Sequence, residues 1–213
     1  MPIDVKICGI NDKTALRTAV EAGAAYVGFV FYPRSPRSVT LEAAHKFVNS
    51  VPAHVVTVGL LVDPTDDELR QVPRLVPSLG MIQLHGKETP ARVAEARLLS
   101  ERPVMKAIGI SSAADLDQVK DYVGIADQFL FDAKPAEGAL PGGNAVAFDW
   151  ALLKGYSNGR PWLLAGGLNA QNLAEAVRQS GARGVDVSSG VEDRPGHKDQ
   201  DKICEFIGLA DRI

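Results

Sequence analysis

The sequence predicts an α/β fold, a single-domain parallel (β/α)8 barrel spanning residues 1–213. Three observations lead there. Short apolar runs rich in β-branched and aromatic residues alternate with longer helix-spaced segments from one end of the chain to the other. The runs number eight, the count that closes a barrel. The first strand-to-helix turn, "KICGINDK", lacks the G-x-G-x-x-G of an open doubly wound sheet, which is the competing arrangement.

The strand candidates are Val5 to Cys8, Tyr26 to Phe31, His54 to Val62, Met81 to Leu84, Val104 to Ile108, Gln128 to Phe131, Trp162 to Ala165 and Gly184 to Ser188. Helical patterns lie between them. Asn11 is the expected N-cap of the first helix, Thr40 of the second before "LEAAHKFV", Thr65 of the third before "DDELRQV", and Asn169 of the seventh before "QNLAEAVRQSG". Gly181 ends the seventh as a C′ glycine. "SSAADLDQVKDYV" supplies the fifth, "FDWALLKGY" a short sixth, and "KDQDKICEFIGLADRI" the last.

Composition narrows the class of function. The chain is 46% hydrophobic and 23% charged with a formal net charge of −3, ordinary for one globular domain with a sizeable core. Scattered Lys and Arg give no electrostatic footprint for nucleic acid. No apolar run approaches membrane-spanning length and no signal-type N-terminus is present, so a cytoplasmic protein is expected. The two cysteines, Cys8 and Cys204, read as reduced thiols, and the His and Cys spacing fits no metal site. No cofactor is expected. The expected partner is a small molecule, and the protein itself a monomer or homodimer.

In barrels of this kind the chemistry sits at the C-terminal ends of the strands. Cys8 ends the first strand, Arg37 lies in the loop after the second, His85 ends the fourth, Asp132 the sixth, and Asp186 lies in the eighth. Two glycine-rich turns, "AGGLN" and "SSGVE", follow strands seven and eight and offer Gly166, Gly167, Ser189 and Gly190 to an anion, as paired phosphate loops do. Each residue has a plainer reading. A buried cysteine is commonly a small hydrophobe, an Asp after a strand a cap, and a loop Arg a solvated cation. His85 reads as packing and hydrogen bonding at the barrel mouth. Asp186 either pairs with Lys6 or holds a sugar hydroxyl, and both remain open.

The stretches "KICGI", "GFVFYPRSPRSV", "QLHG", "LFDAK", "FDW", "LAGGLN", "GVDVSSGVE" and "PGHKD" together resemble the phosphoribosylanthranilate isomerase family of tryptophan biosynthesis, over nearly the whole chain. The resemblance implies an Amadori rearrangement without metal or cofactor, from the aminoaldose N-(5-phosphoribosyl)anthranilate to the 1-deoxyribulose 5-phosphate ketoamine. It maps the general base onto Cys8, the general acid onto Asp132, the anthranilate-binding arginine onto Arg37, and the phosphate loops onto Gly166, Gly167, Ser189 and Gly190. One stretch departs: the family commonly has glycine, a small hydroxyl residue and glycine before "FDW", where this chain reads Gly143, Asn144, Ala145.

The chemistry asks for two groups in opposite protonation states. Ring opening needs a proton on the furanose oxygen, which a neutral carboxylic acid supplies, and the apolar run "QFLF" before Asp132 points to a raised pKa. The resulting iminium acidifies the C2 hydrogen, which a thiolate can remove if its pKa is lowered. Lys6, two residues before Cys8 and on the same side of the strand, is the expected nearby cation. The alternatives are another sugar-phosphate barrel enzyme and a non-catalytic binder of a phosphorylated ligand.

Overall fold

The computed structural model describes residues 2–134 and 147–213. Its barrel strands are β1 (Asp4–Cys8), β2 (Tyr26–Val30), β3 (Val56–Leu61), β4 (Met81–Leu84), β5 (Val104–Ile110), β6 (Gln128–Ala133), β7 (Trp162–Leu164) and β8 (Gly184–Val187). They pair in chain order, all parallel, and β8 closes on β1 with Lys6 opposite Asp186. The crossovers carry α1 (Lys13–Ala22), α2 (Leu41–Val48), α3 (Asp66–Leu75), α4 (Pro90–Ser100), α5 (Ala113–Asp117), α6 (Leu173–Ser180) and α7 (Gln200–Ala210). Between β6 and β7 the described residues form only a 3-10 turn, Trp150–Leu153, where the sequence predicts a short helix. After β8 the chain adds an unpredicted hairpin, β9 (Glu192–Arg194) with β10 (His197–Lys198).

The period of two along each strand separates two cores. One set of side chains, including Ile7, Phe29, Leu84, Phe131 and Val185, packs with the helices in the large cluster. The alternate set, Met105, Ala107, Leu130, Leu163 and Ala165, forms its own cluster with Tyr26 and Met81. Cys8, Val30 and Leu60 make a third, smaller one.

Local capping chemistry explains the helix starts. Thr40 accepts from the Ala43 N–H at 3.2 Å, and Thr65 with Glu68 completes a capping box. Gly181 ends α6 at φ 74°, as expected. Two caps differ from the sequence reading. Asp12, not Asn11, caps α1, because the Asn11 amide is drawn away to the Gly196 carbonyl at 2.7 Å. Asn172, not Asn169, precedes α6: the two side chains bond each other's backbone N–H groups, at 3.1 and 2.9 Å, and wind a turn ahead of the helix. The fourth crossover helix, given no start in the sequence reading, begins with Thr89 accepting from the Arg92 N–H and Pro90 in the first turn.

Candidate active site

Cys8, the last residue of β1, is buried, and Lys6 lies beneath it on the same face. The fully buried Lys6 ammonium donates to Asp186 Oδ1 at 2.7 Å across the seam between β1 and β8. Pairing with Lys6 is thus one of the two roles open to Asp186. Gly28 on β2 leaves the space these groups occupy: a Cβ there would lie 3.1 Å from Cys8 Sγ and 3.2 Å from Lys6 Nζ. Burial pushes the Cys8 thiol above its ordinary value. The Lys6 charge pulls it down, but Asp186 opposes, and the net shift is upward. The expectation of a lowered thiol pKa is therefore corrected, because Lys6 shares its charge with Asp186 and the thiol is buried.

Arg37 lies over the residue that follows Cys8. Gly9 has φ 79°, and a Cβ on it would meet Arg37 Cδ at 2.6 Å. A glycine is needed there for both conformation and contact. The guanidinium is not a solvated loop cation: Nε and Nη2 donate to Glu192 Oε1 and Oε2, each at 2.8 Å. Glu192 belongs to the quoted "SSGVE" stretch, but nothing in the sequence ties it to an arginine 155 positions away.

Asp132 sits next to the end of β6. Its Oδ1 accepts from the Ala133 N–H at 2.8 Å, and its Oδ2 lies 3.2 Å from His85 Nε2. His85 follows β4, and its Nδ1 meets the Gln83 amide nitrogen at 2.9 Å. With that amide donating, Nδ1 accepts and the ring proton sits on Nε2, the nitrogen nearer the carboxyl. Both carboxyl oxygens thus meet polar groups, a more polar setting than "QFLF" predicts. His85 does hydrogen-bond at the barrel mouth, as read from the sequence: its partner is Gln83, and its other ring nitrogen lies near the candidate acid.

The two glycine turns close the arc. Gly166 and Gly167 are left-handed, at φ 87° and 66°. A Cβ on Gly166 would come within 2.7 Å of the Ala133 nitrogen and 3.2 Å of Asp132 Oδ1, so this turn lies against the acid. A Cβ on Gly190 would overlap the Leu168 carbonyl, which brings the two loops into backbone contact. Among the described residues the N–H groups of Gly167, Ser189 and Gly190 donate to no protein acceptor. Ser188 Oγ donates to the Cys8 carbonyl at 3.0 Å, which ties the second loop to the first strand. Arg37, Cys8, both loops, Asp132 and His85 therefore follow one another around the barrel mouth.

The chain's kinship agrees with this arrangement. The family model described as N-(5'phosphoribosyl)anthranilate (PRA) isomerase matches residues 5–208. The chain belongs to that family. A curated N-(5'-phosphoribosyl)anthranilate isomerase of Paramagnetospirillum magneticum is 56% identical over 211 residues, covering 99% of this chain and 98% of the relative. The crystal structure of phosphoribosyl anthranilate isomerase from Thermotoga maritima superposes with a TM-score of 0.87 at 37% identity, covering 99% and 100% of the two chains. Another solved phosphoribosyl anthranilate isomerase, in complex with reduced 1-(o-carboxyphenylamino)-1-deoxyribulose 5-phosphate, gives 0.84 at 35% identity, with the same coverage. Membership over nearly the whole chain makes this protein an isomerase.

The departure at Gly143, Asn144 and Ala145 lies outside the described residues. Among the described residues no helix is long and apolar enough to cross a membrane. No group of three or more His, Cys, Asp or Glu is gathered among them as a metal would require.

Proposed function

We propose that this isomerase catalyses the Amadori rearrangement of N-(5-phosphoribosyl)anthranilate to 1-(2-carboxyphenylamino)-1-deoxyribulose 5-phosphate in tryptophan biosynthesis, in the cytoplasm and without metal or cofactor. Cys8 is the general base and Asp132 the general acid. One observation carries the reading: each reactive group is built against a binding element, Cys8 beside Arg37 across Gly9 and Asp132 against Gly166. A substrate held at both ends has its sugar between them.

Asp132 gives its proton to the furanose oxygen as the C1–O bond breaks, and the aryl nitrogen supplies the electrons that form the iminium. Cys8 then removes the C2 proton, leaving an enolamine. Protonation at C1 and loss of the C2 hydroxyl proton yield the ketoamine, so the net reaction moves one hydrogen from C2 to C1 and one from O2 to O4. His85 holds the Asp132 carboxyl in place. The Gly166, Gly167, Ser189 and Gly190 loops bind the phosphate through their free N–H groups. Asp186 Oδ2, which accepts from no described group, is left for a sugar hydroxyl.

Turnover of phosphoribosylanthranilate, followed by loss of anthranilate-type fluorescence, tests the activity. Absence of turnover in the folded protein would favour another sugar-phosphate reaction or a non-catalytic binder.

Two substitutions test the binding ends. Arg37→Ala is expected to raise KM with a smaller change in kcat, because a guanidinium on a carboxylate acts in ground and transition states alike. An unchanged KM contradicts the assignment. Gly190→Ala forces the second loop off the Leu168 carbonyl. Inorganic phosphate should then compete about tenfold or more weakly, since charge-assisted bonds to the anion are lost. An inhibition constant for phosphate equal to that of the wild type would remove these loops from the phosphate site.

A further inference from the structure

The hairpin after β8, which contains the "PGHKD" stretch, has no part in the chemistry above, yet its two buried charges converge on Arg37. Glu192 Oε1 accepts from Arg37 Nε and, at 2.7 Å, from Lys198 Nζ, whose side chain is wholly buried. Glu192 Oε2 accepts from Arg37 Nη2. Lys198 also donates to the Ser188 carbonyl at 2.9 Å, and Lys202 to the Glu192 carbonyl at 2.7 Å. The hairpin tip is seated on the arginine loop: Gly196, at φ 82°, is so close to the Pro36 carbonyl that a Cβ would overlap it, and its own carbonyl takes the Asn11 amide.

We infer that Glu192, locked by Lys198, is a positioning residue that grips the Nε/Nη2 edge of Arg37 and thereby presents the adjacent Nη1/Nη2 edge to the aryl carboxylate of the substrate. A guanidinium has five N–H donors in one plane, and a carboxylate on one edge leaves a second two-donor edge in a fixed direction. One carboxylate between two cations also leaves the cluster net positive, so an incoming carboxylate is attracted to it. The hydrogen bond from Arg37 and the charge of Lys198 outweigh the effect of burial on Glu192 and hold its carboxyl below the ordinary value, so it stays ionised as the grip requires. The inference rests on the assignment of the substrate carboxylate to Arg37.

The test compares two unreactive ligands, reduced 1-(o-carboxyphenylamino)-1-deoxyribulose 5-phosphate and the same compound lacking its carboxyl group, with inorganic phosphate as the control. The variants are Arg37→Ala, Glu192→Gln/Lys198→Met, their combination, and Glu192→Asp. Removing Glu192 and Lys198 together avoids an uncompensated buried ammonium. Glu192→Asp keeps the charge but shortens the reach, so the proposal can still be read if the double variant does not fold. The wild type should prefer the carboxylated ligand. Glu192→Gln/Lys198→Met should lose about 10- to 100-fold of that preference and Glu192→Asp a smaller part of it, and phosphate affinity should hold in Glu192→Asp, which keeps the Lys198 bond to the Ser188 carbonyl. Adding the pair to Arg37→Ala should cost no further preference, since Glu192 acts only through the guanidinium.

If Arg37→Ala leaves the preference intact, the carboxylate assignment fails. If Arg37→Ala abolishes it while the Glu192 variants retain it, the assignment stands and the inference is overturned. A further loss in the combined variant would also overturn it, because Glu192 would then act on its own.

Discussion

Replacing Cys8 by serine is expected to lower kcat by about 10² or more, the range for loss of a positioned base, while leaving the fold nearly unchanged. The swap is close to isosteric, and the side chain sits in a small cluster with Val30 and Leu60 rather than in the main core. A serine hydroxyl is far less acidic than a thiol, and the Lys6 ammonium beneath it is already engaged with Asp186. The Lys6 charge that partly offsets burial for sulfur therefore cannot ionise oxygen. KM should change little, since Arg37 and the glycine loops are untouched. Steady-state kinetics on the folded variant checks this, and near-normal kcat would remove the thiolate from the mechanism.

Asp132→Asn should cost about 10² to 10⁴ in kcat, because the shape is kept and the transferable proton is lost. The structure can absorb the change. The asparagine carbonyl can still accept from the Ala133 N–H, while its amide would lie near His85 Nε2, which can become an acceptor for it. That requires the other imidazole tautomer, with Nδ1 donating. Gln83 Oε1, buried and without a partner, can receive that proton after a half-turn of its amide. Affinity for the reduced product and for inorganic phosphate should remain close to that of the wild type. A collapse of both affinities would mean the substitution disturbs the site rather than the proton transfer.

The barrel was legible because it is written in repetition: eight strand-like runs with helix-spaced segments between them admit few other closures. The Lys6 and Asp186 pairing was legible as an option for the same reason, since β1 and β8 become neighbours only when the barrel closes. Thr40, Thr65 and Gly181 were legible because caps act within a few residues. Asn11 and Asp12 were not separable on local grounds, since both are good caps and the choice is made by a carbonyl at Gly196. The grip of Glu192 on Arg37 was hidden for a related reason. Residue types and spacings mark strand ends, but a contact between two loops 155 positions apart leaves no pattern in one sequence. The expectation of a lowered Cys8 pKa failed because it counted Lys6 and omitted both burial and Asp186.

The account's central claim is that an ionised Cys8 and a neutral Asp132 act together, and the dependence of kcat/KM on pH tests it most directly. In the wild type the two requirements give a bell-shaped profile, with macroscopic limits that belong to the pair. Of the pair, only the thiol remains to titrate in Asp132→Asn. Residual activity should then rise as Cys8 ionises and level off, whichever group of the wild-type pair loses its proton first. Because burial holds the thiol above its ordinary value, that rise should lie in the alkaline range. The account predicts that the alkaline fall disappears in Asp132→Asn; a fall that persists at the same pH, with ionisation of the substrate excluded, would contradict it.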